Sequence, residues 1–152
     1  AGSDAHAWFL GMKPRCNTVE VETALRSSAP PQGWEGQGFA AACLALAGRT
    51  DDARERLAGL DADARWRAAG IVFDIGHPVA DAGDDISAAP IMELVVEFWP
   101  NHYMALYHAG AARFELGQLA AARPYLESFL REYGVEDGWT GSARRMLEEM
   151  EP

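Results

Sequence analysis

Three glycines at nearly equal intervals constrain this chain more than any other feature of its sequence. Gly48, Gly83 and Gly117 are 35 and 34 residues apart, and each ends a segment in which apolar residues recur at helical spacing. An alanine stands five residues after each of these glycines, at Ala53, Ala88 and Ala122. A fixed period of this length is typical of chains that fold as a series of similar structural units.

The chemistry of glycine and alanine explains what each unit would be. Glycine ends a helix readily because, without a Cβ, it adopts the left-handed conformation of a helix C-terminal cap. A small alanine in the first turn of the next helix allows two antiparallel helices to pack closely. One helix pair cannot bury its own apolar stripes, so neighbouring pairs stack. The spacing therefore predicts an all-α fold with roughly seven to nine helices.

Apolar spacing and capping residues predict where the individual helices lie. The predicted helices cover residues 36–47, 51–59, 61–75, 87–99, 101–116, 119–133 and 140–150, after a weaker leading pair at 5–12 and 18–28. Ser87 and Asn101 are the candidate caps of the fourth and fifth of these helices. Proline removes a backbone donor and clashes with the preceding turn, so Gly76-His77-Pro78 predicts a loop over 76–86.

The segment 101–133 indicates most clearly which kind of repeat the chain contains. Small, aromatic and aliphatic residues follow one another there in a regular order: Ala109, Gly110, Phe114, Gly117, Ala122, Tyr125, Leu126, Phe129 and Leu130. In this order the chain resembles the tetratricopeptide repeat. The resemblance implies a right-handed superhelix of antiparallel helix pairs, an α-solenoid in a single domain. Its parts would be a degenerate leading pair at 1–33, repeats at 34–68, 69–102 and 103–136, and a capping helix at 137–152.

The resemblance also implies a function, because tetratricopeptide proteins hold partner segments against the concave face formed by the first helix of each pair. The corresponding groove residues here are Phe39, Leu46, Phe73, His77, Met104, Tyr107, Phe114 and Glu115. The implied function is a non-catalytic module that binds a protein or peptide and needs no cofactor. A self-assembling helical domain, whose groove is filled by the N-terminal segment or by a second copy in a homodimer, is an open alternative.

Charge and hydropathy restrict the partners further. The net charge of -10 opposes general binding to the phosphate backbone of nucleic acids. The longest uncharged apolar stretch, 39–48, is about half the length that a membrane span requires. We therefore expect no transmembrane segment. The lack of a visible signal peptide favours a cytoplasmic protein, whereas a start without Met leaves an exported mature form open.

The two cysteines are too few for a disulfide framework or a cysteine metal site. Cys43 lies in a segment rich in alanine and leucine, which favours a buried free thiol. A bridge to Cys16 would form only if the fold brought the two residues together.

The segment 74–85 is the second candidate for function. It holds five potential nitrogen or oxygen ligands, namely Asp74, His77, Asp81, Asp84 and Asp85. Their spacing matches no known calcium loop, and zinc sites usually require two or more His or Cys residues. A polar loop whose carboxylates cap the next helix is the favoured interpretation. The alternative is a small-molecule or metal-binding protein, or an enzyme, whose site is centred on this loop with Tyr103, Tyr107 and His108.

No catalytic residue is assigned from the sequence. His102 and His108 are six positions apart, which places them on different faces of the predicted helix 101–116. A pair formed by His77 and a helix carboxylate is weak evidence for general-base chemistry. Nucleophile, phosphate-binding and metalloprotease motifs are absent from the sequence.

Overall fold

The computed structural model describes residues 3–151, and this part of the chain contains nine α-helices, one 3-10 helix and no strand. The all-α prediction is therefore confirmed. The helices are α1 (Asp4–Met12), α2 (Val21–Ser27), α3 (Trp34–Leu46), α4 (Thr50–Ala58), α5 (Ala62–Asp81), α6 (Asp85–Phe98), α7 (Tyr103–Glu115), α8 (Leu119–Tyr133) and α9 (Gly138–Met150), with the 3-10 helix at Lys13–Arg15. The chain forms two compact units that meet within α5, between Gly76 and His77.

The first unit is built around α3, whose residues from Phe39 to Ala45 are all buried. Helix α1 packs on α3, where the rings of Phe9 and Phe39 lie 5.3 Å apart. On its other side α3 approaches α5 so closely that a Cβ added at Gly38 would lie 2.9 Å from Cδ1 of Ile71. Glycine is required here because of this close approach between helices.

A disulfide joins Cys16 to Cys43 in the first unit, so the prediction of a free thiol at Cys43 is wrong. Sequence separation gave no reason to pair them, because the two positions are 27 residues apart. The packing of α1 on α3 places Cys16, just after the 3-10 helix, beside the last turn of α3. Their Cα atoms are 5.0 Å apart, which is within the range that a disulfide spans.

The second unit packs α6, α7, α8 and α9 in succession along the chain. Between α7 and α8, a Cβ at Gly110 would lie 2.7 Å from the Leu126 side chain, so the glycine permits close packing. Arg113 of α7 forms an ion pair with Glu93 of α6, with Nε donating to Oε2 at 3.1 Å. The core of this unit contains Leu106, Tyr107, Leu126, Phe129, Ala143 and Met146.

The three periodic glycines occupy equivalent corners, as the sequence predicts. Gly48, Gly83 and Gly117 follow α3, α5 and α7 with left-handed φ values of 78°, 78° and 76°. After each glycine, the next N–H donates to the carbonyl five positions earlier: Arg49 to Leu44, Asp84 to Val79, and Gln118 to Arg113. This hydrogen bond is typical of a helix ended by a left-handed residue. The alanines five residues later are fully buried.

Helix α5 corrects the predicted loop over 76–86, because it continues through Pro78 to Asp81. Pro78 stands in the last turn, where it removes one helical hydrogen bond while its own carbonyl still accepts from the Ala82 N–H at 3.0 Å. Burial of Val72, Phe73 and Gly76 on one face favours continuation of the helix. Among residues 3–151, neither α5 nor any shorter helix is both long and apolar enough to cross a membrane.

Two predicted helix caps are also wrong by one to three positions. Helix α6 begins at Asp85, and its cap is Asp84, whose carboxylate accepts from the Ser87 N–H at 3.3 Å. Helix α7 begins after His102 rather than Asn101, and Nδ1 of His102 accepts from the Ala105 N–H at 3.2 Å. An imidazole nitrogen can cap a helix in place of a carboxylate or hydroxyl when it is the acceptor tautomer.

Candidate functional site

The second unit brings two histidines and one aspartate together from two helices. His77 and Asp81 lie four residues apart on the last turn of α5, with Nε2 of His77 3.4 Å from Oδ1 of Asp81. His108, in the middle of α7, contacts His77 with ring centroids 4.9 Å apart and the ring planes tilted by 59°. One ligand atom from each residue lies within 4.8 Å of the other two. We call these three residues the His–Asp cluster.

The members of the His–Asp cluster differ in their exposure to solvent. The His108 side chain is buried, with 8% of the residue exposed, whereas the side chains of His77 and Asp81 are 38% and 60% exposed. Burial, followed by the coulombic effect of His77, lowers the pKa of His108 from 6.5 to about 4. The Asp81 carboxylate opposes these effects without reversing them. His108 is therefore a neutral imidazole at physiological pH.

Aromatic side chains hold the His108 ring in place. Tyr107 and Trp139 both meet it edge-on, with centroids at 5.5 and 6.2 Å. Tyr107 in turn contacts Trp139 at 5.0 Å and shares a hydrogen bond of 2.8 Å with the Ser142 hydroxyl on α9. Because its neighbours are fixed by α9, the buried imidazole has a defined orientation.

A second feature of the same unit is a partly accessible stripe along α7. Met104, His108, Ala111 and Glu115 recur at helical spacing on one side of this helix. His108 is buried, Met104 and Ala111 are half-buried, and Glu115 is exposed. Phe114, also half-buried, lies beside them. We call Met104, Ala111, Phe114 and Glu115 the α7 stripe.

The predicted groove residues fall into both units. In the first unit Phe39 and Phe73 are buried, with 8% and 9% exposed, and Leu46 is half-buried. Phe39 contacts the rings of His6 and Phe9. In the second unit Met104, Phe114 and Glu115 belong to the α7 stripe, Tyr107 is buried beside it, and His77 belongs to the His–Asp cluster.

The five ligands predicted over 74–85 are only partly brought together. His77 and Asp81 belong to the His–Asp cluster, whereas Asp84 caps α6, as the polar-loop interpretation expects. Asp74 is exposed on α5, and Asp85 is half-buried in the first turn of α6. The alternative that groups this segment with His108 includes all three members of the His–Asp cluster, but it does not predict their mutual contact. The spacing of four between His77 and Asp81 is a signal for it, but that signal requires a continuous helix through Pro78.

An open cleft of the first unit, about 630 Å³ in volume, is lined by charged side chains of both signs. Arg49 bonds to Glu22 and to Asp52, and Glu22 keeps a lowered pKa because of its hydrogen bond to Arg49. Further lining residues include Arg26, Glu55 and Arg56. The ion pairs of Arg49 with Glu22 and Asp52 compensate the charges at the centre of this cleft.

Comparisons of the chain with protein-family models, curated proteins and solved structures find no match. The resemblance to the tetratricopeptide repeat therefore remains an interpretation of the residues themselves.

Proposed function

We propose that this chain is a non-catalytic protein-interaction module that binds an extended partner segment along the α7 stripe. The segment would carry basic and apolar side chains. In this proposal the helix pairs form a right-handed superhelix like that of tetratricopeptide proteins, and α7 contributes to its concave face.

The equivalent corners at the three glycines support the architectural part of this proposal. Each corner joins a helix to a second helix that carries a fully buried alanine at its fourth position, in both units of the chain. Repeated units of this kind offer an extended row of side chains along their first helices, which suits an extended ligand better than a compact one.

The single observation that carries the functional part is the accessibility of the α7 stripe. Helix α7 packs against α6 and α8, yet Met104, Ala111 and Phe114 remain partly open to solvent on one side. A methionine and a phenylalanine beside a small alanine form a surface with room for apolar partner side chains.

Charge indicates the chemistry of the partner. The stripe ends at the exposed Glu115, and Asp81 is exposed near its middle, beside His108. The whole chain has a net charge of -10. A segment that carries arginine or lysine between apolar residues would match both features, and its association would be accelerated by the long-range field.

A random peptide library displayed on phage tests the proposal against the full chain. We expect enriched peptides to combine basic and aliphatic residues and to bind the wild type with micromolar affinity. Because Met104→Ala removes apolar contact and Glu115→Lys reverses a charge, each should weaken binding at least about tenfold, equivalent to about 1.4 kcal/mol.

Matched controls distinguish the stripe from the rest of the surface. Val19→Ala truncates a residue that is 88% exposed in the first unit, and Glu148→Lys makes the same charge change on α9. Both controls should retain wild-type affinity. The proposal fails if no peptide is enriched, if stripe and control variants bind equally well, or if light scattering shows a homodimer whose binding to peptide requires dissociation.

A further inference from the structure

We propose that His77, Asp81 and His108 form a binding site for one divalent transition-metal ion, with Zn²⁺ as the favoured ion. This site is a function separate from the proposed binding of a partner segment and does not depend on it.

The first support for the proposal is the position of the three residues in the fold. Residues four apart on a helix project from the same face, so the backbone of α5 aims His77 and Asp81 at a common point. Helix α7 supplies His108 as the third ligand, within 4.8 Å of the other two. Two ligands at helical spacing and a third from another element form a typical arrangement in zinc sites with three protein ligands.

The distances fit a metal ion after a small adjustment. With metal–ligand bonds of about 2.0–2.1 Å, the ligand atoms of a tetrahedral site lie about 3.4 Å apart. Nε2 of His77 and Oδ1 of Asp81 already have this separation, 3.4 Å. The remaining ligand atoms lie within 4.8 Å, so closing the site requires a movement of about 1.4 Å. The exposed side chains of His77 and Asp81 can supply it by rotation.

The buried ligand is prepared for binding by its surroundings. Metal ions bind the neutral imidazole, and forming a site costs less free energy when the ligand rings are already oriented. The edge-on contacts of Tyr107 and Trp139 orient the His108 ring, and the hydrogen bond from Tyr107 to Ser142 connects this support to α9.

The donor set determines which ion is favoured. Two imidazoles and one carboxylate suit Zn²⁺ and other first-row transition metals, whereas Ca²⁺ and Mg²⁺ prefer oxygen ligands throughout. Three protein ligands leave a fourth position for water or for an incoming ligand. The partial exposure of His77 and Asp81 gives an ion direct access from solvent.

Isothermal titration calorimetry of the full chain, first treated with a chelator and then dialysed, tests the site. We expect one Zn²⁺ per chain with micromolar or tighter affinity, and no heat from Ca²⁺ at the same concentrations. His77→Ala and Asp81→Asn each remove one of three ligands from an exposed position, so the variants should fold and bind Zn²⁺ at least about 100-fold more weakly.

Two further variants and one spectrum provide the controls. Asp74→Asn makes the same chemical change about two helical turns before Asp81 on α5, and His6→Gln removes a histidine of the first unit. Both should bind Zn²⁺ like the wild type. In NMR spectra of the imidazole nitrogens, Zn²⁺ should shift the signals of His77 and His108 and leave those of His6 unchanged. The proposal is overturned if Zn²⁺ gives no saturable heat, if Ca²⁺ binds equally well, or if ligand and control variants have the same affinity.

Discussion

At the scale of single residues, His108 is the side chain whose surroundings most alter its chemistry. Its imidazole is buried in the middle of α7, and the titratable groups around it are His77 and Asp81 from α5 and His102 from the start of α7. Burial and the two histidines lower its pKa to about 4, and Asp81 raises it. The fold therefore favours the neutral imidazole of His108, which is also the form that binds a metal ion.

The lowered pKa of His108 predicts how the stability of the metal-free protein depends on pH. Between pH 6.5 and about 4 the unfolded chain binds a proton at residue 108 that the folded chain does not bind. The stabilising contribution of the neutral imidazole is therefore complete above pH 6.5 and is lost as the pH falls toward 4. The free energy of unfolding should decrease by at most about 3 kcal/mol over this range, because each pH unit contributes about 1.36 kcal/mol.

Urea unfolding in the presence of a chelator, repeated across this pH range, measures the effect. His108→Gln has no titrating group at this position, so its free energy of unfolding should vary less with pH than that of the wild type. Carboxylates elsewhere contribute equally to both proteins, and the difference isolates His108. Parallel pH dependences in the two proteins would contradict this explanation.

At the scale of helices, the bond between Cys16 and Cys43 connects the end of the first helical segment to the last turn of α3. A crosslink stabilises a fold by restricting the unfolded chain, and a closed loop of this length corresponds to about 3–4 kcal/mol. We expect reduction with dithiothreitol to lower the free energy of unfolding by up to that amount.

Urea unfolding of oxidised and reduced protein measures the contribution of the disulfide. The double variant Cys16→Ala/Cys43→Ala should resemble the reduced wild type and should not respond to dithiothreitol. A wild type whose stability is the same with and without reductant would show that the bond contributes nothing. Retained sensitivity of the double variant would assign the effect of the reductant to another cause.

Helices whose ends are marked by local chemistry could be predicted from the sequence. The range 119–133 was predicted for α8 and is found at the same bounds, because Gly117 precedes it and Gly134 follows with a left-handed φ of 66°. Pro78 misled the prediction for α5, because its local cost is visible in the sequence whereas the burial of Val72, Phe73 and Gly76 is not. That burial depends on which helices pack together.

The candidate site was less predictable for the same reason. His77 and Asp81 stood in a segment singled out for its ligands, but the loop predicted around Pro78 concealed that they share a helix face. The sequence groups His108 with this segment, Tyr103 and Tyr107, but it does not predict a contact between His108 and His77. Its proximity to His77 results from the packing of helices, as does the disulfide, and no local pattern encodes either contact.

At the scale of the whole molecule, the central claim is that one structural unit recurs along the chain. Corners of the same geometry follow α3 in the first unit and both α5 and α7 in the second. The α7 stripe lies on α7, and the His–Asp cluster lies on α5 and α7. Each of these helices is the first of a pair and ends at such a corner. The recurrence therefore relates the sequence period to the proposed functions.

The free energies of unfolding of four glycine variants test this claim most directly. An alanine in the left-handed conformation costs about 1–2 kcal/mol, so Gly48→Ala, Gly83→Ala and Gly117→Ala should each destabilise the protein by that amount. Gly141 lies in α9 without a positive φ, and an added Cβ meets no atom within 4 Å. Gly141→Ala should therefore stabilise the protein by about 0.5–1 kcal/mol. Corner variants as stable as the wild type, or as stable as Gly141→Ala, would contradict the recurrence of the unit.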